Sequence, residues 1–190
     1  MPLRSHGLAS VWADRCRGKI GVSMATGDRR AHFEMALSCF LQQHRPQGTE
    51  LRLFVTDGAE RDPVDDLVHP TVDYLRVHFS TPIGRRFRMG AERALAWGSV
   101  AIMLMDDDDY LYPNAIASLG GALLSRAADG CTCGVTYFLD SVTDVVSLAA
   151  GDEPLDTAFC FRPNSLFLLP DGNTRSAIYQ ELAARGRLTT

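Results

Sequence analysis

Apolar runs and amphipathic stretches take turns along the first two thirds of the chain. Lys19 to Thr26 (KIGVSMAT) reads as a strand, and the segment after it sets Phe33, Leu37, Phe40 and Leu41 on one helical face, with Asp28 placed to cap that helix. Leu51 to Val55 (LRLFV) predicts a second strand ending in the turn TDG, and Val72 to Val77 a shorter third. Ile83 to Trp97 predicts a helix with Phe87, Ala91, Ala94 and Leu95 inward and Gly98 as its stop. Val100 to Met105 (VAIMLM) is apolar without alternation, the habit of a parallel strand covered on both faces. Pro113 then opens a helix carrying Ile116, Leu119 and Leu123 on one side and closing at Gly130. This βαβαβαβα order predicts an α/β fold with a mainly parallel, three-layer, Rossmann-like sheet.

Beyond Gly130 the rhythm changes. Strands are expected at Cys133 to Leu139, Val145 to Leu148, Ala158 to Phe161 and Leu166 to Leu169, and a helix from Arg175 to Arg185. They read as a mixed or antiparallel C-terminal extension of the same sheet. Residues 1–18 form an N-terminal extension, expected to be poorly ordered, and 19–190 a single domain with halves at 19–130 and 131–190.

Composition narrows the class. With 190 residues, 46% of them hydrophobic, the chain can bury a proper core, and its formal net charge of -4 argues against a nucleic-acid binder. No stretch approaches a membrane span, and the first 18 residues lack the apolar centre of a signal peptide, so a soluble, cytoplasmic protein is expected. The five cysteines show no framework spacing and read as reduced thiols. Lys19 is the only lysine, which excludes a P-loop because no Gly-Lys-Ser/Thr exists.

The most charged feature follows the most apolar strand. Asp106 to Asp109 are consecutive carboxylates, and two unit charges 4 Å apart repel by about 1 kcal/mol in water and about 4 at the effective dielectric of a protein surface. Either water solvates such a run, as in an acidic turn capping the next helix, or a cation neutralises it. In open α/β sheets ligands sit outside the carboxyl ends of the strands. That rule gathers Thr26, Asp28, Arg29 and Asp57 on one rim with the four acids. One or two of these carboxylates suffice to hold Mg²⁺ or Mn²⁺, which keeps waters and shares a substrate phosphate.

The segments VSMATGDRR, LRLFVTDGAERD, GRRFRMGAERALAWG and LMDDDDYLYPNAI, in this order and spacing, resemble the opening half of a family 2 glycosyltransferase of the GT-A fold. The resemblance runs from Lys19 to Arg126 and continues loosely to the C-terminus. It implies a nucleotide-diphospho-sugar donor, UDP-, GDP- or dTDP-linked, with 19–130 as the donor-binding half and 131–190 as a shortened acceptor side. Ala25 and Thr26 then stand at the strand end that contacts the base, and Asp28 and Arg29 where the family carries Asn and Arg. Asp57 matches the second acid of the family's DDGS turn, which hydrogen-bonds the base, while Thr56 replaces the first. Arg85 or Arg86 matches the basic position suited to the donor's phosphates. Asp106, Asp107 and Asp108 cover the D-x-D signature, with Asp106 or Asp107 at the ribose, Asp106 and Asp108 as metal ligands, and Asp109 capping the following turn.

The chemistry implied is an inverting displacement, with a carboxylate deprotonating the acceptor hydroxyl. In the family that carboxylate lies at a helix start beyond the strand that SLFLLP resembles. Here one helix is expected after it, so the catalytic segment is expected to be missing or replaced. Asp152, Glu153, Asp156 and Asp171 are the remaining downstream candidates, each also readable as a turn residue. Two alternatives stay open: a nucleotide-sugar binding domain without transfer, and an aspartate phosphatase using the strand-end Asp-x-Asp. The second is disfavoured because strand-helix units precede the motif and no lysine follows it.

Overall fold

A computed structural model of the chain describes residues 17–67, 69–125, 129–132, 135–140, 145–150, 159–161, 184 and 188–189. Four parallel strands, β1 (Gly18–Thr26), β2 (Thr49–Asp57), β3 (Val72–Arg76) and β4 (Ala101–Asp106), stand in the order β3-β2-β1-β4. Three helices accompany them: α1 (Arg30–Leu41), α2 (Ile83–Ala96) and α3 (Ala115–Ser125). The sheet continues through short strands, β8 (Phe159–Phe161) antiparallel to β4, β5 (Gly130–Thr132) antiparallel to β8, and β9 (Leu188–Thr189) parallel to β5.

Side-chain alternation along the strands sorts the core into two layers. Ile20, Val22 and Met24 of β1 and Ala101, Met103 and Met105 of β4 join Phe33, Phe40, Ile116 and Leu123 from α1 and α3. The opposite face, with Phe54, Ile102 and Leu104, meets Phe87, Ala91 and Ala94 of α2. Burial on both faces explains why β4 lacks alternation in sequence. Under the body of α2, β1 carries the small residues Gly21 and Ser23, and the helix lies close. A methyl group on Gly90 would come 2.2 Å from Ser23 Oγ, and one on Gly21 2.4 Å from Ala94 Cβ.

The structure corrects several expectations. No helix joins β2 to β3 among the described residues; a loop makes that parallel crossover, so the predicted βαβαβαβα rhythm loses a helix. Leu95 is 44% exposed rather than inward, because the buried stripe of α2 runs through Gly84, Phe87, Gly90, Ala91 and Ala94 and leaves Leu95 at its edge. Val100 is outside the strand and exposed, and α3 begins at Ala115, two residues after Pro113. The strand expected from Cys133 to Leu139 is observed as β6 (Val135–Asp140), and β5, just before it, was not expected. β6 pairs with β7 (Val145–Ala150) in a separate two-stranded sheet rather than extending the main one. The strand expected at 166–169 and nearly all of the helix expected at 175–185 lie outside the described residues. Gly98, at φ +90°, terminates α2 as the sequence predicts.

Candidate functional site

Register brings the candidate residues level. Thr26 pairs with Asp57 and Asp57 with Arg76, while Asp106 pairs with Ala25, so Asp107 emerges from β4 beside Thr26. The connections leaving β1 and β4 run in opposite directions across the sheet, through β2 on one side and towards β8 and β5 on the other. The gap between those two strand ends is thus the topological switch point where open α/β sheets bind ligands.

Four side chains, of Thr26, Arg29, Asp107 and Asp108, meet there. Asp107 has no exposed surface; its Oδ2 accepts from Thr26 Oγ1 at 2.8 Å, and its Oδ1 pairs with Nη2 of Arg29. Nη1 of the same guanidinium donates to Asp108 Oδ2 at 2.9 Å. Arg29 therefore spans two neighbouring carboxylates. Burial pushes the Asp107 carboxyl above the usual carboxylate range, and the charge of Asp108 adds to this. Thr26 and Arg29 pull the other way. Asp109 closes the turn that carries the acids. Its Oδ2 reaches back to accept from the Asp106 N–H at 3.0 Å, closing a turn whose return bond is Asp109 N to Asp106 O at 3.2 Å. Ala25 is buried in the strand end below these acids.

The rim beyond β2 is held by other predicted residues. Asp28 does not cap α1, whose N-cap is Arg29 with no side-chain bond. Asp28 Oδ1 instead accepts from the Arg61 and Asp62 N–H groups at 2.8 and 3.0 Å, and these bonds hold its carboxyl below the ordinary value. Asp57 is fully buried, accepting from Ala59 N at 2.7 Å, Val64 N at 3.1 Å and the Tyr74 hydroxyl at 2.8 Å. Desolvation first, and this carboxylate second, raise the Tyr74 phenol above its usual range. Asp57 thus organises the 58–64 loop. Arg30 fastens the same loop to α1 through Asp66 at 2.6 Å and the Pro63 carbonyl at 3.1 Å.

Arg86 is the second hub. Its Nε, Nη1 and Nη2 donate to the carbonyls of Thr81, Thr26 and Phe79 at 2.8, 2.8 and 2.6 Å. The guanidinium crosses directly over Gly58, so a methyl group there would lie 2.2 Å from Arg86 Cζ. Loops following β1, β2 and β3 converge on this one side chain. Arg85, one residue earlier in α2, is exposed. Thr56, which replaces an acid of the family pattern, is buried and accepts from Arg93 Nη2 at 2.9 Å, beside the Val55 carbonyl at 2.7 Å.

Gln43 escaped the sequence reading. It is 4% exposed; its Nε2 donates to the Tyr112 carbonyl at 2.8 Å and its Oε1 accepts from Ile116 N at 3.1 Å. These bonds tie the end of α1 to the segment between the acids and α3. A lone glutamine in a polar helix end carries no pattern that would single it out.

Whether this crevice suits a divalent cation depends on its donors. Among the described residues no group of three or more His, Cys, Asp or Glu side chains is arranged to hold an ion. Both Asp107 oxygens are engaged, whereas Asp108 is about half exposed. One reachable carboxylate beside a second acid fits a hard cation that takes its remaining ligands from water and substrate phosphates, not an all-protein cage. Asp152, Glu153, Asp156 and Asp171 lie outside the described residues. No described helix is long and apolar enough to cross a membrane.

No family model matches the chain, and no curated protein matches it. Solved structures do. The mannosyltransferase PcManGT from Pyrobaculum calidifontis, in complex with GDP-Man and Mn²⁺, superposes with a TM-score of 0.68 at 16% identity, over 96% of this chain and 59% of that one. S. aureus TarS 1-349 gives 0.64 at 14% identity, over 90% and 55%. Its complex with UDP-GlcNAc gives 0.51 at 16%, over 60% and 33%. The chain spans less than two thirds of the length of each. At such identities the likeness establishes architecture alone: this chain has the GT-A glycosyltransferase fold.

Proposed function

We propose that this chain binds a nucleotide-diphospho-sugar at the β1–β4 switch point and transfers the sugar, with inversion, to an acceptor that its described residues do not identify. The observation that carries this reading is the Thr26–Asp107–Arg29–Asp108 constellation at that crevice. It combines a cationic fork for phosphates with a half-exposed carboxylate for a cation, on a fold whose solved representatives hold UDP-GlcNAc and GDP-Man with Mn²⁺.

In this reading Ala25 and Thr26 form the floor beside the base and ribose, and Asp106 and Asp107 define the ribose end. Asp108, with Asp106 alongside, holds Mn²⁺ or Mg²⁺. A bound cation of this kind supplies charge neutralisation for the departing diphosphate. Arg29 binds and orients the phosphates, and Arg85, exposed in the first turn of α2, is the second cation assigned to them. Asp28, Asp57 and Arg86 act on the donor by fixing the loops around it; a direct bond from Asp57 to the base requires the 58–64 segment to open. The acceptor's proton goes to a carboxylate sought among Asp152, Glu153, Asp156 and Asp171.

The test is a thermal-shift screen of UDP-, GDP- and dTDP-sugars with and without Mn²⁺, followed by donor consumption with broad acceptor pools. Metal-dependent stabilisation by one donor class is expected, with slow donor consumption; fast consumption lost in one of Asp152→Asn, Glu153→Gln, Asp156→Asn or Asp171→Asn would identify the base among these four. Removing a general base typically lowers the rate by about 10² to 10⁴. Stabilisation by no nucleotide sugar would overturn the reading.

A further inference from the structure

The pairing of Arg29 with two acids bears on how metal and donor enter. We propose that Arg29 is an internal counter-cation for Asp107 and Asp108, exchanged for a divalent cation when a nucleoside diphosphate arrives to take the guanidinium. Metal and donor then bind cooperatively, each poorly without the other. The proposal rests on the nucleotide-sugar reading of this crevice and adds an order of events to it.

The geometry sets Arg29 against an incoming cation. Asp107 is wholly buried, with one oxygen on the Thr26 hydroxyl and the other on Arg29. Asp108 gives Oδ2 to the same guanidinium at 2.9 Å. A cation approaching Asp108 therefore meets a positive charge already within hydrogen-bond distance of its ligand, and like charges this close oppose one another. Arg29 is also able to leave. Its side chain is 47% exposed, and although it occupies the N-cap of α1, no side-chain bond ties it to the helix end. A diphosphate offers the guanidinium a bidentate anionic partner of the kind it matches best. Moving the fork onto phosphate releases the Asp108 oxygen, and the divalent cation restores the charge balance beside Asp107. Linkage makes the effect reciprocal: whatever factor the nucleotide adds to metal affinity, the metal adds to nucleotide affinity.

The test is calorimetry on the full chain with three titrations: Mn²⁺ alone, UDP or GDP alone, and Mn²⁺ with the nucleotide present. The parent is compared with Arg29→Gln, Arg29→Lys and, as a remote control for one lost positive charge, Arg88→Gln on the outer part of α2, where Arg88 pairs with Glu92 at 3.0 Å. The parent should bind Mn²⁺ alone weakly and at least about tenfold more tightly with the nucleotide, within the usual range of coupling between sites. In Arg29→Gln, Mn²⁺ alone should bind about tenfold more tightly than to the parent, with the coupling reduced towards unity. Arg29→Lys, which keeps the charge but not the fork, should fall between, and Arg88→Gln should match the parent. Adding Asp108→Asn to Arg29→Gln should remove the gained Mn²⁺ affinity.

A merely structural ion pair would lower the melting temperature on substitution and leave Mn²⁺ affinity unchanged. Equal or weaker Mn²⁺ binding in Arg29→Gln, or no Mn²⁺ binding by either protein, overturns the proposal. The Mn²⁺-only arm does not depend on nucleotide. If that arm behaves as expected while no nucleoside diphosphate binds, the exchange onto phosphate and the nucleotide-sugar reading fall, and the counter-cation role alone stands.

Discussion

Gly58→Ala is a small change with a large expected consequence. Gly58 has an ordinary backbone angle, since the positive-φ glycines described are Gly18, Gly48 and Gly98, so alanine brings no backbone strain. Its methyl group would instead lie 2.2 Å from Arg86 Cζ, 2.4 Å from Nη2 and 2.6 Å from Nε. The guanidinium must move, and the bonds to Thr26, Phe79 and Thr81 move with it. Hydrogen bonds to a charged group contribute roughly 1.5–3 kcal/mol each. Arg86 is only partly buried and water can replace some of the loss, so the expected destabilisation is about 2–4 kcal/mol rather than the full sum. At about 2–4 °C per kcal/mol for a chain of this size, the melting temperature should fall by roughly 5–15 °C.

The assay is urea unfolding of the parent, Gly58→Ala, Arg86→Ala and the double variant. With the side chain gone nothing remains to collide with, so Gly58→Ala should be within about 0.5 kcal/mol of neutral in the Arg86→Ala background. Two single effects that simply add would show that the guanidinium does not cross Gly58, and the three-loop hub would have to be abandoned.

Other consequences follow from the same contacts. Asp57→Ala leaves the Ala59 and Val64 N–H groups and the Tyr74 hydroxyl without their acceptor and should destabilise by about 2–4 kcal/mol; an unfolding midpoint equal to the parent's would refute this. Tyr74→Phe, which removes one of the three bonds, should lose about 1 kcal/mol and less than Asp57→Ala, by the same measurement. Asp28 has a carboxyl held below its ordinary value of 3.8, so its contribution is present above that pH and disappears as pH falls through the lowered value. The midpoint difference between parent and Asp28→Asn should therefore be larger at pH 6 than at pH 3, and a difference that grows on acidification would contradict the sign. Gly90→Ala must displace Ser23 Oγ or the helix and should destabilise by about 1–3 kcal/mol, read by thermal melting.

Much of this fold was legible because its signals are local. The unbroken apolar run of β4 announced a strand buried on both faces, and the strand ends delivered Thr26, Arg29, Asp57 and the acids to one rim. What periodicity could not convey is which groups meet across the chain. Thr26 finds Asp107 81 residues away and Arg86 finds the Thr26 carbonyl 60 residues away. Asp57 is bonded by Tyr74 from the next strand, and Leu95 falls at the edge of a stripe that includes Gly90, packed against Ser23. The connection between β2 and β3 was hard for a related reason. Asp57 at the end of β2 and Asp28 after β1 fix that loop by accepting its backbone N–H groups, an order that leaves no hydrophobic period.

The proposed site depends above all on Asp108 recruiting a metal for a nucleoside diphosphate at the switch point. Calorimetric titration of UDP, GDP and dTDP, with and without Mn²⁺, into the parent and Asp108→Asn tests it directly. Saturable one-to-one binding of at least one nucleotide, strengthened by Mn²⁺, is expected of the parent; the variant should melt as the parent does but lose that metal dependence. Metal-dependent affinity undiminished in Asp108→Asn, or no saturable binding by the parent, would contradict it and leave the acidic run as a solvated turn.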